Sequence, residues 1–110
     1  MIETVVIGFL GTKLDVPVYA EVPEEDETEF VVVQKTGGGE ENYISTATLA
    51  VQSYSATLYG AASLNEKVKT AMRALRAEDS VSAVRLNSDY VFNNTQSKRY
   101  RYQAVFDVIY

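Results

Sequence analysis

Hydrophobic and polar positions alternate along residues 43–54 and then change to a helical rhythm. Ala47, Leu49 and Val51 share one face at the period of two expected of a half-buried strand, in a stretch dense in β-branched and aromatic residues. From Leu58 onward Ala61, Leu64, Val68, Ala71, Met72 and Leu75 recur at spacings of three and four. That spacing gathers them on one stripe of a helix and turns Glu66, Lys67, Lys69, Arg73 and Arg76 to water. Such a helix is expected to pack on a sheet. Ser55 or Thr57 can cap its start by accepting a backbone N–H, and Gly60 costs about 1 kcal/mol relative to Ala inside the first turn.

Ahead of this unit, Ile2, Val5, Val6, Phe9 and Leu10 follow the i, i+3, i+4, i+7, i+8 pattern of a short helix ending near Gly11, although the valines also allow a strand. Pro17-Val18-Tyr19-Ala20 reads as an edge strand, because proline at a strand start removes a donor that the ladder can spare. Residues 21–29 form a solvated acidic loop with Glu21, Glu24, Glu25, Asp26, Glu27 and Glu29 and no base. The loop lacks the spacing of acids and glycine found in a calcium site. Phe30-Val31-Val32-Val33-Gln34 is apolar almost throughout, as in a strand covered on both faces at the middle of a sheet. Gly37-Gly38-Gly39 reads as a hairpin connection whose glycines allow positive φ. A phosphate cradle is disfavoured, since Glu40 and Glu41 stand where a P-loop has Lys-Ser/Thr.

After the long helix, Val84, Leu86, Tyr90 and Phe92 alternate with their neighbours, and residues 93–98 are turn-forming. Tyr100, Tyr102, Ala104, Phe106, Val108 and Tyr110 then alternate with Arg99, Arg101, Gln103, Val105, Asp107 and Ile109, which predicts an antiparallel hairpin. The expected fold class is α+β: one antiparallel β-sheet with two helices packed on it, in one domain spanning residues 1–110. Its strands are expected at residues 16–20, 30–36, 43–53, 83–92 and 99–110. Its core is expected to contain Phe9, Val32, Leu49, Val51, Leu64, Val68, Met72, Leu86, Tyr102, Phe106 and Val108.

Composition narrows the function. A hydrophobic fraction of 46% in 110 residues suffices for one core. The net charge of −5 counts against holding nucleic acid by its phosphates, which draws on Lys and Arg displacing counterions. Without cysteine or histidine, neither a disulfide framework, a thiolate zinc site nor the usual nucleophile and base pairs can be assembled. The expectation is therefore no enzyme, no catalytic residue, no metal and no cofactor. No apolar run reaches the ~20 residues that span a bilayer, and residues 1–14 lack the basic start of a signal peptide, so no membrane is expected and synthesis in a cytosol is. Val105 and Ile109 make the last strand apolar on both sides, so either a helix or another subunit covers that face; with Tyr100 and Arg101 they are the candidate subunit interface. The acids Glu24, Glu25, Asp26, Glu27, Glu40 and Glu41 are candidates for facing a channel or a neighbour. The segments 21–29 and 37–41 are expected to be mobile in the isolated subunit and to become ordered in an assembly.

Several of these segments together resemble a family. Val16-Pro17-Val18-Tyr19, the acidic loop, residues 30–42, the strand Ala50-Val51-Gln52-Ser53-Tyr54, the helix with Leu64-Asn65-Glu66 and the closing residues 100–110 are similar to small phage and prophage proteins of the head–tail connector, the tail terminator or tail completion proteins. The resemblance implies a structural virion protein that forms a hexameric ring, caps the finished tail tube and joins it to the head. It implies a homo-oligomer, with the subunit able to stay monomeric until it meets a tail end. The implied partners are the tail tube protein and the head connector proteins, with DNA passing through the ring without specific binding. It also implies a place in the virion neck after synthesis in the host bacterial cytoplasm, as terminator or as a neighbouring ring. Two other classes stay open: a small ferredoxin-like ligand-binding domain or enzyme working as a dimer, and a regulatory or antitoxin-like interaction protein.

Overall fold

A computed structural model describes residues 2–23, 28–78, 80–91 and 100–110. Helix α1 (Ile2–Lys13) leads to the short strand β1 (Val18–Tyr19), followed by the long strands β2 (Phe30–Glu41) and β3 (Ile44–Ser55). Helix α2 (Leu58–Ala74) runs into a 3₁₀ turn at Leu75–Ala77, and β4 (Ala83–Val91) and β5 (Tyr100–Ile109) complete the sheet. The strand order is β1-β2-β3-β5-β4. This is the α+β architecture expected from the pattern, one sheet with two helices.

The sheet is mixed, not purely antiparallel. β1 runs parallel to β2, pairing Val18 with Val31 and Tyr19 with Val32, while every other pair is antiparallel. Parallel pairing rules out a direct hairpin between β1 and β2, and it is limited to two residues of β1. The middle strand is β3, not the Phe30–Val33 run. Phe30, Val31, Val32 and Val33 are nonetheless all buried. Val31 and Val33 join the helix-side core, and Phe30 and Val32 form a second cluster with Tyr54 on the other face.

Both helices lie on one face. Ile2, Val6 and Leu10 of α1 and Leu64, Val68 and Met72 of α2 meet Leu49, Val51, Phe106 and Val108 in one core. Phe9 packs against its edge and is only partly buried. Thr57 is the N-cap of α2, its hydroxyl accepting from the Gly60 N–H at 2.9 Å. A Cβ at Gly60 would collide with the oxygens of Ser55 and Thr57, so the glycine belongs to the cap geometry.

Further expectations need correction. Gly37-Gly38-Gly39 lies inside β2, paired with Thr48, Ala47 and Thr46, so it is neither a loop nor a turn. A Cβ at Gly38 would stand 2.8 Å from the Lys35 Cε and from the Thr46 carbonyl oxygen, a close approach that only glycine tolerates. The reversal falls at Asn42 and Tyr43, whose φ angles of 51° and 64° are those of a tight hairpin turn. On β4, a bulge between Leu86 and Ser88 breaks the expected alternation. Val84 and Leu86 pair with Val108 and Phe106 on the helix side, but beyond the bulge Asp89 and Val91 take that side and Tyr90 the other. Leu86, expected in the core, is 39% exposed, and Tyr102 is half-buried. α2 lies mainly over β3 and β5, leaving the edge strand β4 less covered. Phe92 and Arg99, expected as strand ends, lie outside the described residues.

Candidate functional site

Side chains pointing away from the helices form the second face of the sheet, buried where Phe30, Val32, Ala50, Gln52 and Tyr54 lie and open toward Thr46 and Ile109. Alternation along β5 places Arg101, Gln103, Val105, Asp107 and Ile109 there, opposite Tyr54, Gln52, Ala50, Thr48 and Thr46 of β3. A directional chain of hydrogen bonds crosses the face. Arg101 Nη1 donates to Tyr54 Oη at 2.8 Å, and Tyr54 donates to Gln52 Oε1 at 3.0 Å. Gln52 Nε2 donates to Gln103 Oε1 at 2.9 Å, and Gln103 Nε2 donates to Tyr90 Oη at 2.6 Å. The Tyr54 ring stacks on Phe30 at 4.5 Å, with the Arg101 guanidinium 5.4 Å from its centroid. Tyr54 and Gln52 are only 5% and 7% exposed, so their polar atoms depend on these partners and the network is stiff. Farther along, Asp107 accepts from Thr48 and Asn87, with Arg85 at 3.6 Å. Chemically this is a hydrogen-bonded network that ties β3, β5 and β4 together and leaves the end of the face at Thr46 and Ile109 open to another surface. Among the described residues it presents no nucleophile beside a base.

The structure brings three of the four interface candidates together. Arg101, Val105 and Ile109 line the face away from the helices, the first two half-buried and Ile109 exposed, whereas Tyr100 pairs with Ser55 and points to the helix side. Glu40 and Glu41 are exposed on the arm formed by β2 and β3. Glu24, Glu25, Asp26 and Glu27 lie outside the described residues. Twelve-residue strands span roughly 40 Å at about 3.3 Å per residue, which accounts for most of the molecule's 45 Å length. At the arm's tip Tyr43 is 97% exposed and the neighbouring Ile44 about half exposed. Sequence reasoning missed this tip and the Gln52–Gln103 pair. A bulky residue following Asn42 was the available signal for the first, and no local pattern announces the second.

On the helix side, Lys69 bridges Glu66 at 2.7 Å and Asp89 at 2.9 Å. The hydrogen bonds that it donates to Glu66 and then to Asp89 hold its ammonium charged and raise its pKa above the ordinary 10.5, against a smaller opposing effect of burial. Asn65 Nδ2 also donates to Asp89 Oδ2 at 3.0 Å, leaving the buried Asn65 Oδ1 without a partner among the described residues. A groove of about 500 Å³ lies between the end of α1 and α2, lined by apolar Leu14, Ala71 and Ala74 with Lys13 and Lys67 among its charged groups. Among the described residues no three His, Cys, Asp or Glu side chains converge as metal ligands, and no helix is long and apolar enough to cross a membrane. No protein-family model matches the chain, and comparison with curated proteins finds no match.

Proposed function

We propose that this chain is a non-enzymatic structural protein of the phage or prophage head–tail connector, a ring subunit that terminates the tail tube and joins it to the head. The observation that carries the reading is the presence of two unlike exposed surfaces on one small subunit: the open end of the sheet face around Thr46 and Ile109, and the hairpin tip with Tyr43 and Ile44. A closed ring requires each copy to offer two different surfaces, one for each neighbour. The segments that resemble tail terminator proteins include the strands that build both surfaces. Closure at six copies follows that resemblance. The acidic excess suits a channel through which DNA slides, because like charge suppresses binding through counterion release. The ring's partners are the tail tube protein on one side and the head connector on the other, in the neck of a virion assembled in the bacterial cytoplasm.

Electron microscopy of the protein alone and with purified tails tests this. The expected result is a ring at one tail end. A stable twofold dimer, with no ring at any concentration and no attachment to tails, would sink the connector reading. The groove between α1 and α2 favours one competitor, a dimeric ligand-binding domain of ferredoxin-like type, since it is concave, apolar at its base and of ligand size.

A further inference from the structure

Charge is segregated along this acidic chain. Residues 21–41 carry eight of the fifteen acids and one base, Lys35, whereas residues 58–77 carry Lys67, Lys69, Arg73 and Arg76 against Glu66 alone. The acidic stretch includes the end of the arm, where Glu40 and Glu41 precede Tyr43 and Ile44. The basic stretch is α2 with its 3₁₀ turn, and it forms one wall of the groove.

The tip is built against local preference. The second turn position has φ 64°, a conformation natural to glycine, yet it holds a tyrosine. That ring is 97% exposed, so the unfavourable backbone is not offset by packing within the subunit. An observed outlier of this kind, carrying a large apolar ring into water, points to a contact made elsewhere. The groove has the complementary character. Leu14 and Ala71 are buried along its lining, small alanines leave it open, and about 500 Å³ accommodates an aromatic ring with an isoleucine beside it. Lys13 and Lys67 stand exposed at it. Asp15 and Glu66 are there too, but the Glu66 carboxylate is already engaged by Lys69 at 2.7 Å.

We propose that the arm tip of one copy docks in the α1–α2 groove of a second copy of this chain, Tyr43 and Ile44 entering the apolar lining while Glu40 and Glu41 meet Lys13 and Lys67. The contact is heterologous, tip to groove, and so can propagate around a ring. It rests on the ring reading for its closure but not for its chemistry.

The test is sedimentation velocity over a wide concentration range on the parent, Tyr43→Gly, Glu41→Lys, Lys67→Glu and the Glu41→Lys/Lys67→Glu double variant, with electron microscopy of the associated species. Tyr43→Gly is expected to keep the parent's circular dichroism, melt no lower and associate at least tenfold more weakly. Each charge reversal is expected to weaken association and the double variant to recover most of it, since the new lysine tip meets the new glutamate groove. Undiminished association of Tyr43→Gly, or a double variant no better than the singles, overturns the contact and leaves the ring standing on some other surface. Recovery in the double variant with only twofold dimers or open chains in the micrographs upholds the contact and removes the ring. A parent that stays monomeric at millimolar concentration overturns the contact, and the groove then belongs to a small apolar ligand or to a different protein.

Discussion

Gly60 is a residue at which helix propensity and packing give opposite answers. Propensity alone says that Gly60→Ala stabilises α2 by roughly 1 kcal/mol. The added Cβ meets the Ser55 and Thr57 oxygens, and Thr57 is the cap of that helix. The substitution is therefore expected to destabilise by about 1 to 3 kcal/mol, through crowding and a disturbed cap, and urea denaturation decides the sign. Lys69 provides a pH readout. Its folded-state pKa is raised, chiefly by Glu66 and then by Asp89, so the folded protein keeps this proton to higher pH than the unfolded chain does. The resulting stability is fully present below the unfolded value of 10.5 and is lost as pH rises through the folded value. Lys69→Met is expected to show a shallower fall in stability than the parent above that pH.

At the scale of elements, β3 and β5 carry the core between them. Leu49 and Phe106 are direct cross-strand partners, both buried under the helices. Leu49→Ala and Phe106→Ala are each expected to destabilise by ~2 to 5 kcal/mol. The double variant should fall short of or exceed the sum, since the two side chains share one cavity. Melting temperatures unchanged in both single variants would overturn their inward assignment. β5 and α2 were legible in the sequence because each is buried mainly on one side, and one-sided burial imprints its period on the residues; β3, buried on both faces from Leu49 to Ser55, was legible from its density of β-branched and aromatic residues and the apolar row Ala47, Leu49 and Val51. The extent of β4 was legible too, but not its facing beyond Leu86, because a bulge shifts the alternation by one residue and leaves no local mark. The triple glycine was misread because a residue without a side chain fits a turn and a strand equally; Asn42, which tolerates left-handed backbone, was the better clue. The direction of β1 depends on the path of the chain that follows it, which no periodicity encodes. Arg101, Val105 and Ile109 could be grouped because they share one strand, and Tyr100 fell out of phase with them. The Arg101–Tyr54–Gln52–Gln103–Tyr90 chain needs the register of three strands before its members become neighbours.

For the whole molecule, the segregation of charge makes salt the natural lever. Contacts between the acidic arm and the basic helix of another copy are screened over about 8 Å at physiological ionic strength. Self-association is expected to weaken as sodium chloride rises, while the melting temperature of the dilute monomer, held by an apolar core, moves far less; light scattering and calorimetry on matched samples check both. The placement of β5 has a separate consequence. It pairs with β3 on one side and β4 on the other, so the strand made last among those described is an interior one. While translation has proceeded only as far as Val91, β4 has no neighbour, β3 has an open edge, and the apolar row of Leu49 and Val51 lacks Phe106 and Val108 beside it. A nascent chain of that length shows chaperones both unpaired backbone and uncovered core. Emergence of residues 100–109 from the ribosome is thus the event that lets the subunit close, and any chain cut short before it is a candidate for aggregation or proteolysis.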